Sequence, residues 1–270
     1  MNRRLVLSWG RRAMASMSVL SVLLLSAQTT HAGVRYHVAT NGVDTANGLS
    51  WATALVTISN AMTRVGEGDT VMLSNGTFAI TAQINLTNAV TFTSTNGWAY
   101  TTVDAGNIAG RRVFYMTNEG AVIDGLTIMR GNGDGSSVNP KNNGGGVWMA
   151  AGRVQNCLLT NNIGFTHGGN VYMTGGTVSN CTLTKGSASY DQGGGVYISG
   201  SGAVVQNCTI RNNSSVREGG GIGIGAGGGN RSQLYDYGQL RREPGKRRHL
   251  HGDWACRKLP DREQYRSQLL

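Results

Sequence analysis

Three consecutive stretches of this chain can be written one above another: GGGVWMAAGRVQNCLLTNNIGFTH (Gly144 to His167), GGNVYMTGGTVSNCTLTKGSASYDQ (Gly168 to Gln192) and GGGVYISGSGAVVQNCTIRNNSSVRE (Gly193 to Glu218). Their lengths are 24, 25 and 26 residues, and a fourth opens at Gly219 with GGGIGI. Each starts with glycines, which permit positive φ and close backbone approach at a corner. A β-branched and aromatic run follows, then a turn, then a second short strand through Asn-Cys-x-Leu/Ile. Such a unit is too small to bury an apolar face alone, so neighbours must stack. Short strands rising ~3.3 Å per residue, joined by corners, close one coil, and the next coil lies ~4.8 Å above it in parallel pairing. Antiparallel hairpins would give no residue type a reason to recur once per unit.

Stacking makes vertical neighbours of residues that share a place in the repeat. Cys157, Cys181 and Cys208 then form a column pointing into a narrow core, expected as buried free thiols. A disulfide framework is the competing reading, but three stacked cysteines cannot all pair, and in-register neighbours fit disulfide geometry poorly. Cys256 lies apart, in the C-terminal segment. Asn156, Asn180 and Asn207, and the pairs Asn161-Asn162 and Asn212-Asn213, suit corners where Asn tolerates a left-handed backbone. Trp148, Tyr172 and Tyr197 form an aromatic column: outward it offers rings to a sugar, inward it is core.

Upstream segments read as degenerate versions of the same coil. Arg112 to Met116 takes the first-strand role, and VIDGLTI (Val122 to Ile128) has the shape of VQNCTI, with Gly125 expected at the cysteine position. Asp69 to Leu73, Ile84 to Leu86 and Val90 to Phe92 read as earlier strands. Ser50 to Val65 has helical spacing at Ala54, Ile58, Ala61, Met62 and Val65. A helix there would cap the first coil, whose bare edge would otherwise invite pairing.

The order NGLSWATALVTISNAM, GDTVMLSNGTF, TVDAGN, VIDGLTI and then GG-V-Y/NC-T units resembles the pectin-lyase-like superfamily, in particular its repeat-rich secreted and surface members in bacteria. The likeness runs from about Val34 to Ile224. It implies an all-β, right-handed parallel β-helix of ~24–26-residue coils with a short N-terminal capping helix, and says little about activity, since one fold hosts many functions. The GGGVY units also resemble the repeats of polymorphic outer-membrane adhesins.

The two ends read differently from the middle. Arg3, Arg4, Arg11 and Arg12 precede the apolar stretch Met14 to Ala27, and Thr30-His31-Ala32 offers a cleavage site, which together read as a secretory signal peptide over residues 1–32. The apolar run falls short of the ~20 residues that span a bilayer. The expected division is signal peptide 1–32, N-terminal strand and cap helix 33–66, β-helix 67–229, and an aberrant basic tail 230–270. The chain has 24 Lys+Arg against 14 Asp+Glu, but four basic residues lie in the first 32 positions, and ten basic with five acidic lie beyond Gly229. The repeat region is left near neutral, which excludes nucleic acid or an anionic membrane as a partner drawn by bulk charge. The tail reads as disordered, or as a shifted reading frame: with suitable codons read one base later, SQLYDYGQ (Ser232 to Gln239) becomes VNCTITGN. Further on the same frame permits NQGSGVISMAIGRVGNCLIVSNT, placing hidden Asn-Cys pairs near Leu234 and Leu259.

Lyases of the resembled superfamily imply a basic residue that removes a proton from an acidic sugar, with acids holding Ca²⁺ on its carboxylate. Candidate acids are Asp104, Asp124, Asp134 and Asp191; candidate bases are Arg111, Arg112, Arg130 and Lys141. Stacking could bring Asp104, Asp124 and Arg130 into neighbouring coils, although corner and turn roles are the default. The paired-Asp, Gly-His-Gly and Arg-x-Lys signatures of polygalacturonases are absent from the sequence. Gly131 to Gly135 (GNGDG) resembles Ca²⁺-binding turns, and otherwise no cofactor is indicated. His167 falls in a column with Asn143, Gln192 and Glu218, as a polar corner residue rather than a general base. No catalytic, cofactor or metal residue is assigned. The reading that follows is a secreted, non-catalytic β-helix that binds polysaccharide or mediates adhesion; a lyase or glycoside hydrolase is the alternative.

Overall fold

Alternation in the short strands decides the architecture. In Phe114–Met116, Val147–Met149 and Val171–Ser179 the first and third residues are buried and the second is half-exposed. The computed structural model describes residues 33–133, 143–217 and 219–225, with the backbone of Trp254–Ala255. Residues 1–32, where the sequence is read as a signal peptide, Asp134 and Lys141, and the remainder of residues 226–270 lie outside the described residues.

The chain is a right-handed parallel β-helix of about five turns. One ladder has two wings. Arg35–Val38, Thr70–Leu73, Thr91–Ser94, Val122–Asp124 and Arg153–Gln155 stack in the first. Ile84–Leu86, Phe114–Met116 and Val147–Met149 stack in the second. Val171–Ser179 and Val196–Gln206 run through both wings, and Ile222–Ile224 pairs onto the second. A second ladder stacks Gly76–Ala79, Thr101–Asp104, Thr127–Met129, Leu158–Thr160, Thr182–Thr184 and Thr209–Arg211. A third holds Ile163–Gly164, Ser187–Ala188 and Ser214–Ser215. Trp254–Ala255 is antiparallel to Thr209–Ile210, while the other strand pairings described are parallel.

Inward side chains fill the tube with Phe92, Phe114, Ile123, Leu126, Ile128, Leu159 and Leu183, all fully buried. The repeat also fixes the corners. Asn156, Asn180 and Asn207 have φ of 54°, 53° and 52°, and the residue in register below them is Gly125, at φ 68°. This corrects the expected alignment: Gly125 holds the asparagine place, because both tolerate the left-handed region, and Leu126 holds the cysteine place. A second corner column, Arg130, Asn161, Lys185 and Asn212, is left-handed throughout, at 51–54°.

At the N-terminal end the expected continuous helix is broken into a 3₁₀ turn, Trp51–Thr53, and a short helix, Ile58–Met62. Leu55 between them bridges to Val38 in extended conformation. The Asp44 carboxylate accepts the Val56 and Thr57 amides at 3.0 Å each, which holds that stretch out of the helix. Thr57 caps the helix by accepting the Asn60 amide, and Ile58 and Ala61 join Val38 and Leu55 in the core. Arg35–Val38 is itself the first strand of the ladder, so the coil begins ahead of the helix.

Candidate functional site

The alternation that sends Val147 and Met149 inward sends Trp148 outward, and exact register repeats the choice in each coil. Tyr115, Trp148, Tyr172 and Tyr197 therefore form one outward column along the second wing. Their ring centroids are 4.9, 6.0 and 5.6 Å apart, with interplanar angles of 25°, 15° and 14°. The two wider separations exceed the ~4.8 Å between strands, so those rings are offset sideways from one another. The sequence left the direction of this column open and missed Tyr115, whose coil lacks the glycine marker. The Trp148 indole nitrogen is buried without a hydrogen-bond partner.

Beside the upper end of the column lies His167. Its ring is 4.0 Å from Tyr197, centroid to centroid. Nε2 lies 3.2 Å from Asp191 Oδ2 and Nδ1 lies 3.3 Å from Asn143 Oδ1. Burial pushes the His167 pKa down, and Asp191 opposes that only in part. Burial raises the Tyr197 pKa, with Tyr172 and Asp191 adding to it. Both imidazole nitrogens are engaged within the protein, and Asn143 pairs with His167 in the expected corner column.

Of the candidate acids and bases, stacking brings Asp104 and Arg130 together, while Asp124, Arg111 and Arg112 bond elsewhere. Asp104 pairs with Arg130 through two contacts, Nε to Oδ1 at 2.8 Å and the second nitrogen to Oδ2. Burial alone would raise the Asp104 pKa, but the Arg130 guanidinium and the Gly106 amide outweigh it and hold it below the usual carboxylate value. The same contact raises the Arg130 pKa, the wrong direction for a proton acceptor. Asp124 lies before the Gly125 corner, at the opposite end of strand Thr127–Met129 from Arg130, and accepts from Gln155 and Asn156 at 3.2 and 2.7 Å. Arg111 donates to the Ile80 and Ala105 carbonyls. Arg112 is fully buried; burial pulls its pKa down to about 10, and it donates to Gln83 and to the Asn143 and Gly144 carbonyls. Among the described residues no three of His, Cys, Asp and Glu are grouped to hold a metal ion.

Two internal columns hold these faces in register. The cysteines are free and buried. The Cys157 amide donates to Cys181 Sγ at 3.4 Å, the Leu126 amide to Cys157 Sγ at 3.4 Å, and each thiol returns a bond to the carbonyl two residues before it. Sulfur thus satisfies corner amides that no carbonyl reaches, a role beyond filling space. The second column was not foreseen. Asn162 accepts from the Gly131 amide and donates to Ile128 O and to Asn170 Oδ1. Asn170 donates to Thr184 O and to Asn213 Oδ1, and Asn213 donates to Leu183 O. In register the Asn162 place is held by Gly186 and then Asn213, and the Asn170 place by Gly146 below and Gly195 above. Each of the three coils from Gly144 supplies one inward amide, from the corner or from the glycine strand. The signal was visible: GGG occurs with NN, and GGN with KG.

No protein-family model matches the sequence, and no curated protein is significantly similar to it. Among solved structures it resembles a rhamnogalacturonan lyase, at a TM-score of 0.51 and 15% identity over 71% of this chain and 54% of that one. It also resembles pectate lyase Pel9A, at a TM-score of 0.48 and 19% identity over 64% of this chain and 46% of that one. The chain spans about half the length of each. What is shared is the fold, a right-handed parallel β-helix. No described helix is long and apolar enough to cross a membrane.

Proposed function

We propose that this chain is an exported β-helix that holds an extended polysaccharide along the column Tyr115, Trp148, Tyr172 and Tyr197 without cleaving it. The observation that carries this reading is the outward, in-register placement of four half-buried aromatic rings. A repeating surface suits a repeating ligand, and sugar rings pack their apolar faces on aromatic ones. Near-neutral charge in the repeat region makes ring contact, rather than bulk attraction, the source of affinity. Export rests on the sequence of residues 1–32, and attachment to a cell surface would be one use of such binding.

The alternative of a polysaccharide lyase or glycoside hydrolase draws on the names of the two similar solved structures. Affinity electrophoresis through gels containing pectins, rhamnogalacturonan or alginate tests the first reading. Trp148→Ala should raise Kd about fivefold for the polymer that retards the protein, the loss expected for one aromatic contact. Unchanged migration in every gel would remove the binding reading. Accumulation of unsaturated product, followed by ultraviolet absorbance with and without Ca²⁺, would replace it with the lyase.

A further inference from the structure

The rule that each coil supplies one inward amide can be carried beyond the last described coil. There the in-frame sequence changes character from Asn230, and the strand it places on Thr209–Ile210 runs antiparallel, against the direction of the other pairings described. We infer that the native neighbour of this end is a further Asn-Cys coil of the same solenoid, encoded one base out of frame from residues 230–270.

The shifted reading meets constraints that only the structure reveals. VNCTITGN aligns with Gln206 to Asn213, QNCTIRNN. Its asparagine falls on the left-handed corner of Asn156, Asn180 and Asn207, and its cysteine on the thiol column. Its glycine falls on the second left-handed corner, at the place of Asn212, a backbone region glycine enters without strain. Its last asparagine falls on the inward amide place of Asn162 and Asn213, and the glycine strand of that coil carries Gly221, as the rule requires. The second hidden coil, GVISMAIGRVGNCLIVSN, repeats the test against GVWMAAGRVQNCLLTNN (Gly146 to Asn162). Glycine again precedes the strand valine and asparagine again takes the inward place. The hidden cysteines coincide with Leu234 and Leu259, at spacings of 26 and 25 from Cys208 onward, beside the observed 24 and 27. The Gly-rich stretch Gly225 to Gly229 lies just before the change and marks where the frame is lost.

The genetic code makes this exacting. A hidden Asn-Cys requires CAA at Gln233 and AAA at Lys258, and a codon ending in TG, either TTG or CTG, at both Leu234 and Leu259. Sequencing the source DNA across these positions should find all four; any other codon at any one of them overturns the inference. A gene restored to the second frame by one base should give a chain whose amides around Cys208 and Ile222 exchange more slowly than in the present chain, by at least tenfold. Equal or faster exchange there would overturn the stacking even if the codons agree. Neither measurement depends on whether the protein binds polysaccharide.

Discussion

The coils before residue 134 and those after residue 142 are built on one plan with different means. In the first set, register partners in the first wing are separated by 21 residues (Thr70 to Thr91) and then 31 (Thr91 to Val122); in the second they are separated by 24 (Arg153 to Thr177) and 27 (Thr177 to Val204). The first set is held by bulk, with Phe92 edge-on to Phe114 at 5.3 Å and Leu126 where later coils have cysteine. The second adds a column of identical cysteines and a set of inward asparagines alternating between two places, which bond from coil to coil. Large apolar residues tolerate loops of varied length, because they need only fill volume. Bonded columns demand constant register and so force the sequence to repeat.

That contrast can be broken by substitution. Phe92→Ala should cost about 4 kcal/mol, the loss typical of a fully buried ring, read from urea unfolding. Asn170→Ala should cost about 3 kcal/mol, since Thr184 O and the Asn162 and Asn213 amides each lose a buried partner. Should Asn170→Ala prove as mild as a surface change, the bonded column would not be what holds the later coils. At the corner, Asn180→Ala should cost about 1 kcal/mol while Asn180→Gly is close to neutral, because only the left-handed backbone discriminates them. Equal effects would mean that the Asn180 side chain, and not its φ, is what matters.

The smallest effect is one of acidity. The folded Asp104 pKa lies below its ordinary 3.8, so its contribution is complete well above pH 3.8 and is lost as pH falls through the lower folded value. Thermal melts should show Asp104→Asn less stable than the parent at pH 7, with the gap narrowing below pH 4. A constant gap would assign the effect to packing rather than to the Arg130 pair.

What the sequence revealed follows the same division. The later coils, their thiol column and their corner asparagines were legible because register and period coincide there. Gly125 was misplaced by one position because a lone glycine in a coil of different length gives no vertical neighbour to compare. The helix was overextended because the Asp44 bonds that hold Val56 and Thr57 outside it come from a residue twelve positions away from the nearer of them. The direction of Trp148 was undecidable from composition, since an aromatic suits either face. Stacking was expected to bring Asp104 near Arg130, and it does, but the sequence did not show that the two would neutralise each other or that Arg112 would turn inward.

The sulfur column carries a consequence for how the protein is made. Once the coils are stacked, burial pushes the Cys181 thiol well above its usual pKa, which withholds the thiolate that oxidants attack. Before stacking, the same three groups are ordinary reactive thiols. In an oxidising compartment, successful maturation is therefore a race, and slow assembly would be recorded permanently as cross-linked chains.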